Sequence, residues 1–123
     1  MRKPNYFFLA LTWTIVVSFL SLAKIEGIEA TIKFSNIDKM VHFVFYFLFY
    51  ILWFLYFISK KNHPKLYWII LLGSIGFGIM IEVVQGLIGN NRTPDSLDVF
   101  ANSVGAFCGL LVSIYFLSNK KQI

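Results

Sequence analysis

Long apolar stretches, separated by short polar segments, dominate the pattern of this chain. Four stretches stand out, at about residues 6–22, 41–58, 67–84 and 99–117. A bilayer hydrocarbon core about 30 Å thick requires roughly 20 apolar residues of helix to cross it. The pattern therefore predicts an all-α fold: an integral membrane bundle of four transmembrane helices in a single domain, residues 1–123.

The first stretch also has the features of a secretory signal, with a basic start and Ser21-Leu22-Ala23 as a possible cleavage site. Its apolar run is long for a signal, and its removal would leave three spans. We therefore interpret residues 6–22 as a retained membrane anchor.

Lysine and arginine positions predict the orientation of the bundle, because cytoplasmic loops carry an excess of these residues. With a cytoplasmic N-terminus, seven basic residues lie inside and four lie outside. The inside set is Arg2, Lys3, Lys60, Lys61, Lys65, Lys120 and Lys121, and the outside set is Lys24, Lys33, Lys39 and Arg92. Both termini are accordingly predicted to be cytoplasmic.

Composition excludes several classes of protein. The net charge of +5 is spread beside the ends of apolar stretches in a chain that is 58% hydrophobic. Nucleic-acid binding requires basic residues on one face, so we exclude it. The single cysteine, Cys108, excludes an internal disulfide and a cysteine-rich metal cluster.

All six carboxylates are predicted to lie at the outer side of the membrane, and this is where candidate chemistry gathers. They are Glu26, Glu29, Asp38, Glu82, Asp95 and Asp98. Ionisable residues at membrane depth are costly and by default indicate a functional site. The cytoplasmic half offers no comparable group, and a pore would need polar residues through its full depth, so a channel is not expected.

The second stretch places Asp38, His42 and Tyr46 on one helical face, with Lys39 beside them. Asp38 also fits a helix cap, and Tyr46 fits an interfacial anchor. His42 is the candidate acid–base group, since its side chain titrates near neutral pH.

The third stretch is predicted to place Glu82 inside the hydrocarbon core, roughly 22 Å along the helix from Tyr67. Ser74, Gly78 and Glu82 share a face, and Gln85 lies one turn further out. The glycines of this stretch, at positions 73, 76 and 78, are predicted to allow close approach of a neighbouring helix.

The last loop and stretch supply Arg92, Asp95, Asp98 and Asn102. Asp95 and Asp98 also fit first-turn acids favoured by the helix dipole. The pattern Gly105-x-x-x-Gly109 predicts close helix packing, within the chain rather than between two copies.

Together these residues resemble the VanZ-like family of bacterial membrane proteins over nearly the whole chain. Three motifs in order carry the resemblance: Asp38-Lys39-x-x-His42-x-x-x-Tyr46, Gly78-x-x-x-Glu82-x-x-Gln85, and Arg92-x-x-x-x-x-Asp98-x-x-x-Asn102-x-x-Gly105-x-x-x-Gly109. The resemblance implies a small multi-pass protein of the bacterial cytoplasmic membrane. The founding member is associated with resistance to the glycopeptide antibiotic teicoplanin.

Two hypotheses follow for function. In the first, an outer-leaflet site binds or modifies an amphiphilic envelope molecule, such as a lipid-linked envelope precursor or a lipoglycopeptide. The candidate catalytic residues are then His42, Glu82 and Asp98, and the candidate substrate-binding residues are Asp38, Lys39, Tyr46, Gln85, Arg92 and Asn102. In the second, the polar residues brace the bundle of an accessory protein. We predict no cofactor, and a single outward histidine does not favour zinc.

Overall fold

The structure is a computed structural model that describes residues 5–22, 37–61, 63–88 and 96–121. Within these ranges the chain forms four helices: α1 Tyr6–Leu22, α2 Ile37–Lys60, α3 Leu66–Ile88 and α4 Ser96–Lys121. The predicted all-α fold is confirmed for this part of the chain. Helices α2, α3 and α4 are long and apolar enough to cross a membrane, and α1 is a shorter apolar helix of 17 residues. These apolar helices indicate a membrane protein.

The three long helices extend beyond the apolar stretches that predicted them. The second stretch was predicted at about residues 41–58, whereas α2 runs from Ile37 to Lys60. Its 24 residues correspond to about 36 Å of helix, which exceeds a hydrocarbon core of about 30 Å. Hydropathy locates the apolar middle of a helix, but its backbone hydrogen bonds continue into polar flanks such as Asp38, Lys39 and Lys60.

Ring and hydrogen-bond contacts give the directions of the helices. Phe7 at the start of α1 contacts Trp53 near the end of α2, so α1 and α2 are antiparallel. Tyr50 of α2 donates a hydrogen bond to the carbonyl of Tyr67 at the start of α3, whereas Tyr46, one turn earlier in α2, packs against Phe77 further along α3, so this pair is also antiparallel. The helix beginnings and ends therefore define two ends of the bundle. The carboxylate end holds the beginnings of α2 and α4, and the loop end holds Lys61 and residues 63–65.

Helices α2 and α4 run parallel and share the most extensive interface of the bundle. Gly105 lies so close to the α2 backbone that an added Cβ would overlap the carbonyl oxygen of Phe43. One turn later, a Cβ at Gly109 would lie 3.0 Å from the Tyr50 ring. The glycine pair therefore packs within the chain, as the sequence predicts.

The glycines of α3 behave differently, and one prediction about them is wrong. Added Cβ atoms at Gly73 and Gly76 would meet nothing within 4 Å. These two residues face open space instead of a neighbouring helix of this chain. Only Gly78 has the predicted role, because its Cβ would lie 3.1 Å from the Asn102 side-chain nitrogen and 3.3 Å from the Tyr46 ring.

Tryptophan hydrogen bonds fasten α1 to α2. The indole of Trp13 donates to the carbonyl oxygen of Phe45 at 2.9 Å, and the indole of Trp53 donates to the Thr14 hydroxyl at 2.9 Å. Buried indole N–H groups need such partners. The two bonds fix the rotation of α1 about its axis and orient its remaining apolar side chains outward, where Phe8, Ile15 and Phe19 are exposed.

Candidate functional site

A chain of polar contacts joins α2 to α4 at the carboxylate end. The Lys39 ammonium forms an ion pair with the Asp98 carboxylate. The second oxygen of the same carboxylate lies 3.5 Å from His42 Nε2. On the other side of the imidazole ring, His42 Nδ1 lies 3.0 Å from the Asn102 side-chain oxygen. Four side chains from two helices thus form one continuous cluster, which we call the α2–α4 polar cluster.

Helix geometry explains why these four residues meet. Lys39 and His42 are three residues apart, and Asp98 and Asn102 are four apart, so each pair occupies one face of its helix. Because α2 and α4 are parallel, the two pairs stay in register over one turn. The close backbone approach at Gly105, one turn deeper, brings the two faces within hydrogen-bonding distance.

Exposure falls steadily along the α2–α4 polar cluster. The Lys39 side chain is 34% exposed, those of Asp98 and His42 are 13% and 12% exposed, and Asn102 is 2% exposed as a residue. The lysine therefore lies at the rim and the asparagine lies inside the bundle. An anionic or hydrogen-bonding group arriving from the carboxylate end would meet the cation first.

Helix α3 contributes a second, deeper set of polar groups. Because Gly78 has no side chain, the side chains of Tyr46 and Asn102 pack directly against the α3 backbone, and Glu82 follows one turn later. Glu82 is only 3% exposed. The predicted common face of Ser74, Gly78 and Glu82 is buried throughout, so it does face a partner helix.

The Tyr46 hydroxyl is buried and has no hydrogen-bond partner among the described residues. A buried hydroxyl without a partner costs about 1–3 kcal/mol relative to a satisfied one. Polar groups of this kind recur at functional sites more often than in ordinary cores, where more than about 90% are satisfied. Tyr46 is therefore the residue in this region that is best placed to gain from a bound polar group.

The geometry of His42 bears on the kind of chemistry available. Both ring nitrogens face oxygen atoms, one from Asp98 and one from Asn102. A general base needs a lone pair directed at its substrate. In the present arrangement neither nitrogen has a free lone pair directed away from the cluster, so the histidine is placed to hold and orient neighbouring groups.

Several predicted site residues lie elsewhere or outside the described ranges. The Gln85 amide donates a 2.5 Å hydrogen bond to the carbonyl oxygen of Ser21 at the end of α1. This bond connects α3 to α1. A sequence pattern does not predict a hydrogen bond from a side chain to a distant main-chain carbonyl. Arg92 and Asp95 lie outside the described residues, and so does the Asp38 side chain; their predicted roles stay predictions.

The part of the chain that the structure describes contains no candidate metal site. No three His, Cys, Asp or Glu side chains come together there in an arrangement that could hold a metal ion. Glu82 and Asp98 belong to different helices, and His42 is the histidine beside Asp98.

Comparison with known proteins decides the family. The sequence profile of the VanZ/LLP1 family matches residues 4–117, which is nearly the whole chain. The chain belongs to the VanZ/LLP1 family. The family resemblance drawn from the three motifs is thereby confirmed. A further relative is an uncharacterized protein of the fission yeast Schizosaccharomyces pombe, 27% identical over 126 residues, covering 99% of this chain and 76% of the relative. No solved structure matches the chain.

In this VanZ/LLP1 protein, the three motifs converge on the carboxylate end. Lys39 and His42 come from the first motif, Gly78 and Glu82 from the second, and Asn102 from the third. The contacts described above connect members of all three, through the α2–α4 polar cluster and through Gly78. The family pattern therefore describes one spatial region of the bundle.

Proposed function

We propose that the carboxylate end of the bundle binds the polar part of an amphiphilic cell-envelope molecule whose tail lies in the bilayer. The α2–α4 polar cluster is the observation that supports this most. It presents a cation at the rim and hydrogen-bonding groups behind it, and the buried Tyr46 hydroxyl lies on the same helix, one turn beyond His42. A ligand with an anionic or hydroxyl-rich head would find complementary groups in that order.

Binding is the better supported form of this function, and catalysis is the weaker form. The His42 ring faces an acceptor on each side, as described above, and no activated nucleophile lies beside it among the described residues. A reaction would require Asp98 or Asn102 to move away from the imidazole. His42, Glu82 and Asp98 are accordingly proposed to bind and orient the ligand, with Lys39 as the first contact.

The membrane placement is part of the proposal. We propose a four-span protein of the bacterial cytoplasmic membrane, with both termini in the cytoplasm. The excess of lysine and arginine at the loop end and the termini supports this orientation. The carboxylate end then faces the outer leaflet, where envelope precursors and lipoglycopeptides are exposed.

Teicoplanin resistance is a specific form of the proposal, carried by the family resemblance. The similarity to a yeast protein favours a broader class of ligand. If the two proteins share a ligand, it would be a membrane amphiphile in general. Resistance would be one consequence of binding such a molecule at the outer leaflet.

A non-catalytic bracing function is the second candidate, and one observation favours it. The contacts described above for the α2–α4 polar cluster join the two helices that share the most extensive interface. Satisfied buried networks specify one helix arrangement. The same contacts would then stabilise the bundle of an accessory membrane protein without binding a ligand.

The proposal is tested by producing the protein in a teicoplanin-susceptible Gram-positive host and measuring susceptibility beside membrane abundance. We expect the parent chain to raise the inhibitory concentration of teicoplanin, and Lys39→Gln to remove the increase at unchanged abundance. Lys60→Gln is the matched control, because Lys60 ends the same helix at the opposite end of the bundle. No increase with the parent chain would overturn the link to teicoplanin.

A further inference from the structure

A groove of 370 Å³ lies between α2 and α3, away from the polar site. Its volume is within the range of about 300–1,000 Å³ that is typical of ligand pockets. The residues that line it are Phe49, Trp53 and Phe57 from α2 and Ile69, Ile70, Gly73, Ser74 and Phe77 from α3. It runs from the middle of the bundle to the loop end.

The groove is separate from the α2–α4 polar cluster. Phe49 and Phe77 stack with ring centroids 5.0 Å apart and planes inclined by 12°. Tyr46 packs against both rings on the side toward the carboxylate end. The stacked pair therefore closes the groove at that end, so a molecule in the groove would not reach His42 or Asp98.

The lining of the groove offers no polar group to a ligand. The Ser74 hydroxyl donates to the carbonyl oxygen of Ile70 within its own helix, and the Trp53 indole donates to Thr14. What remains is apolar surface, with aromatic rings on one side and the bare backbone of Gly73 on the other. A hydrocarbon chain fits such a lining, and a polar ligand does not.

Two lysines, Lys61 and Lys65, lie at the loop end of the bundle, toward which the groove runs. The Lys61 amide donates to the carbonyl of Phe57, and the Ile69 amide donates to the carbonyl of Lys65, each at 3.0 Å. Each lysine is therefore one helical turn from a residue that lines the groove. Both lysines are exposed, and the sequence contains no Asp or Glu between Lys39 and Ile81.

We propose that the groove and its two lysines form a binding site for an anionic phospholipid of the surrounding leaflet. One acyl chain lies along Gly73 between the two helices, and the phosphate lies between Lys61 and Lys65. Charge complementarity selects the headgroup, because each basic residue near a membrane surface strengthens the binding of an anionic lipid about fivefold. This site is independent of the function proposed for the carboxylate end.

Tryptophan quenching by brominated lipids tests the site in reconstituted vesicles. Trp53 lines the groove, so a Trp13→Phe/Trp68→Phe background leaves it as the single reporter. Vesicles contain equal amounts of phosphatidylglycerol and phosphatidylcholine, with bromine on the acyl chains of one or the other. We expect an apparent preference of about fivefold or more for quenching by the phosphatidylglycerol chains.

Substitutions at two glycines test whether a lipid chain occupies the groove. Gly73→Leu places a side chain in the groove and should remove the preference. Gly76→Leu adds the same side chain to the same helix, also into open space, but Gly76 does not line the groove, so the preference should remain. Melting temperatures in detergent establish that both variants are folded.

The headgroup contact is tested by Lys61→Gln/Lys65→Gln, which should reduce the preference to near one while leaving quenching by either lipid in place. Equal quenching by the two lipids in the parent protein would overturn the proposal, and so would a preference that survives Gly73→Leu. Absence of quenching from both lipids would show that protein, such as a second copy of the chain, covers the groove, and this would also overturn it.

Discussion

Glycine has opposite effects on packing at the α2–α4 interface and in the α2–α3 groove. At the first, Gly105 and Gly109 bring two helices so close that added Cβ atoms would overlap or touch the partner. At the second, Gly73 faces open space and widens a groove lined by aromatic rings. Tight packing coincides with the ionisable residues, and loose packing coincides with a purely apolar surface. The comparison shows that the ionisable residues lie where two helices pack most closely, whereas the groove leaves apolar side chains uncovered.

The largest effect is expected for Gly105→Ala, which would force α2 and α4 apart. Its Cβ would overlap a backbone oxygen, and a backbone cannot move aside as a flexible side chain can. We expect a loss of unfolding free energy of about 3 kcal/mol or more, measured by thermal unfolding in detergent. Gly76→Ala is the control, and an equal loss in both variants would contradict the comparison.

Asn102→Leu should have the next largest effect. The change keeps the branching and the number of side-chain heavy atoms, but it removes the oxygen that faces His42 Nδ1 inside the bundle. An unsatisfied buried donor costs about 1–3 kcal/mol. Ser103→Ala is a suitable control, because the Ser103 hydroxyl bonds only within its own helix, to Val99. A smaller loss at position 102 than at position 103 would show that the histidine contact is not structural.

Asp98→Asn should weaken the rim of the polar cluster more modestly. Lys39 is about one-third exposed, so solvent and salt screen the ion pair. We expect a loss of about 1 kcal/mol in unfolding free energy, with coupling to Lys39→Met in a double-mutant cycle. The coupling free energy should decrease in 1 M salt, because the electrostatic screening length falls to about 3 Å. A coupling of zero at low salt would show that the pair is incidental.

The smallest effect is expected for Gly73→Ala, at the loose side of the comparison. The added methyl group meets nothing within 4 Å, and alanine is about 0.5–1 kcal/mol better than glycine inside a helix. The unfolding free energy should therefore stay constant or rise slightly. A clear fall would mean that the groove is closed around Gly73 when the protein is in detergent.

Sequence patterns predicted the all-α fold. The four apolar stretches correspond to the four helices, and spacing put Asp98 and Asn102 on one face, and His42 on the face of Asp38 and Tyr46 with Lys39 beside it. Periodicity alone is enough for these assignments, because it depends only on helix geometry.

Helix partners were harder to predict, for physical reasons. A run of glycines does not reveal which face meets another helix, so Gly73 and Gly76 were assigned incorrectly while Gly78 was not. The bond from Gln85 to a main-chain carbonyl of α1 could not be predicted either, because any residue can supply that acceptor. The parallel pairing of α2 with α4 depends on the packing of the whole bundle.

The central claim is that the carboxylate end binds a ligand and does not act as a brace alone. The most direct test is His42→Gln, with melting temperature in detergent and teicoplanin susceptibility measured on the same protein. A ligand site predicts that the susceptibility effect of the parent chain is lost out of proportion to any fall in melting temperature or membrane abundance. A brace predicts that melting temperature and abundance fall together, with any loss of effect in proportion to abundance, and that result would contradict the claim.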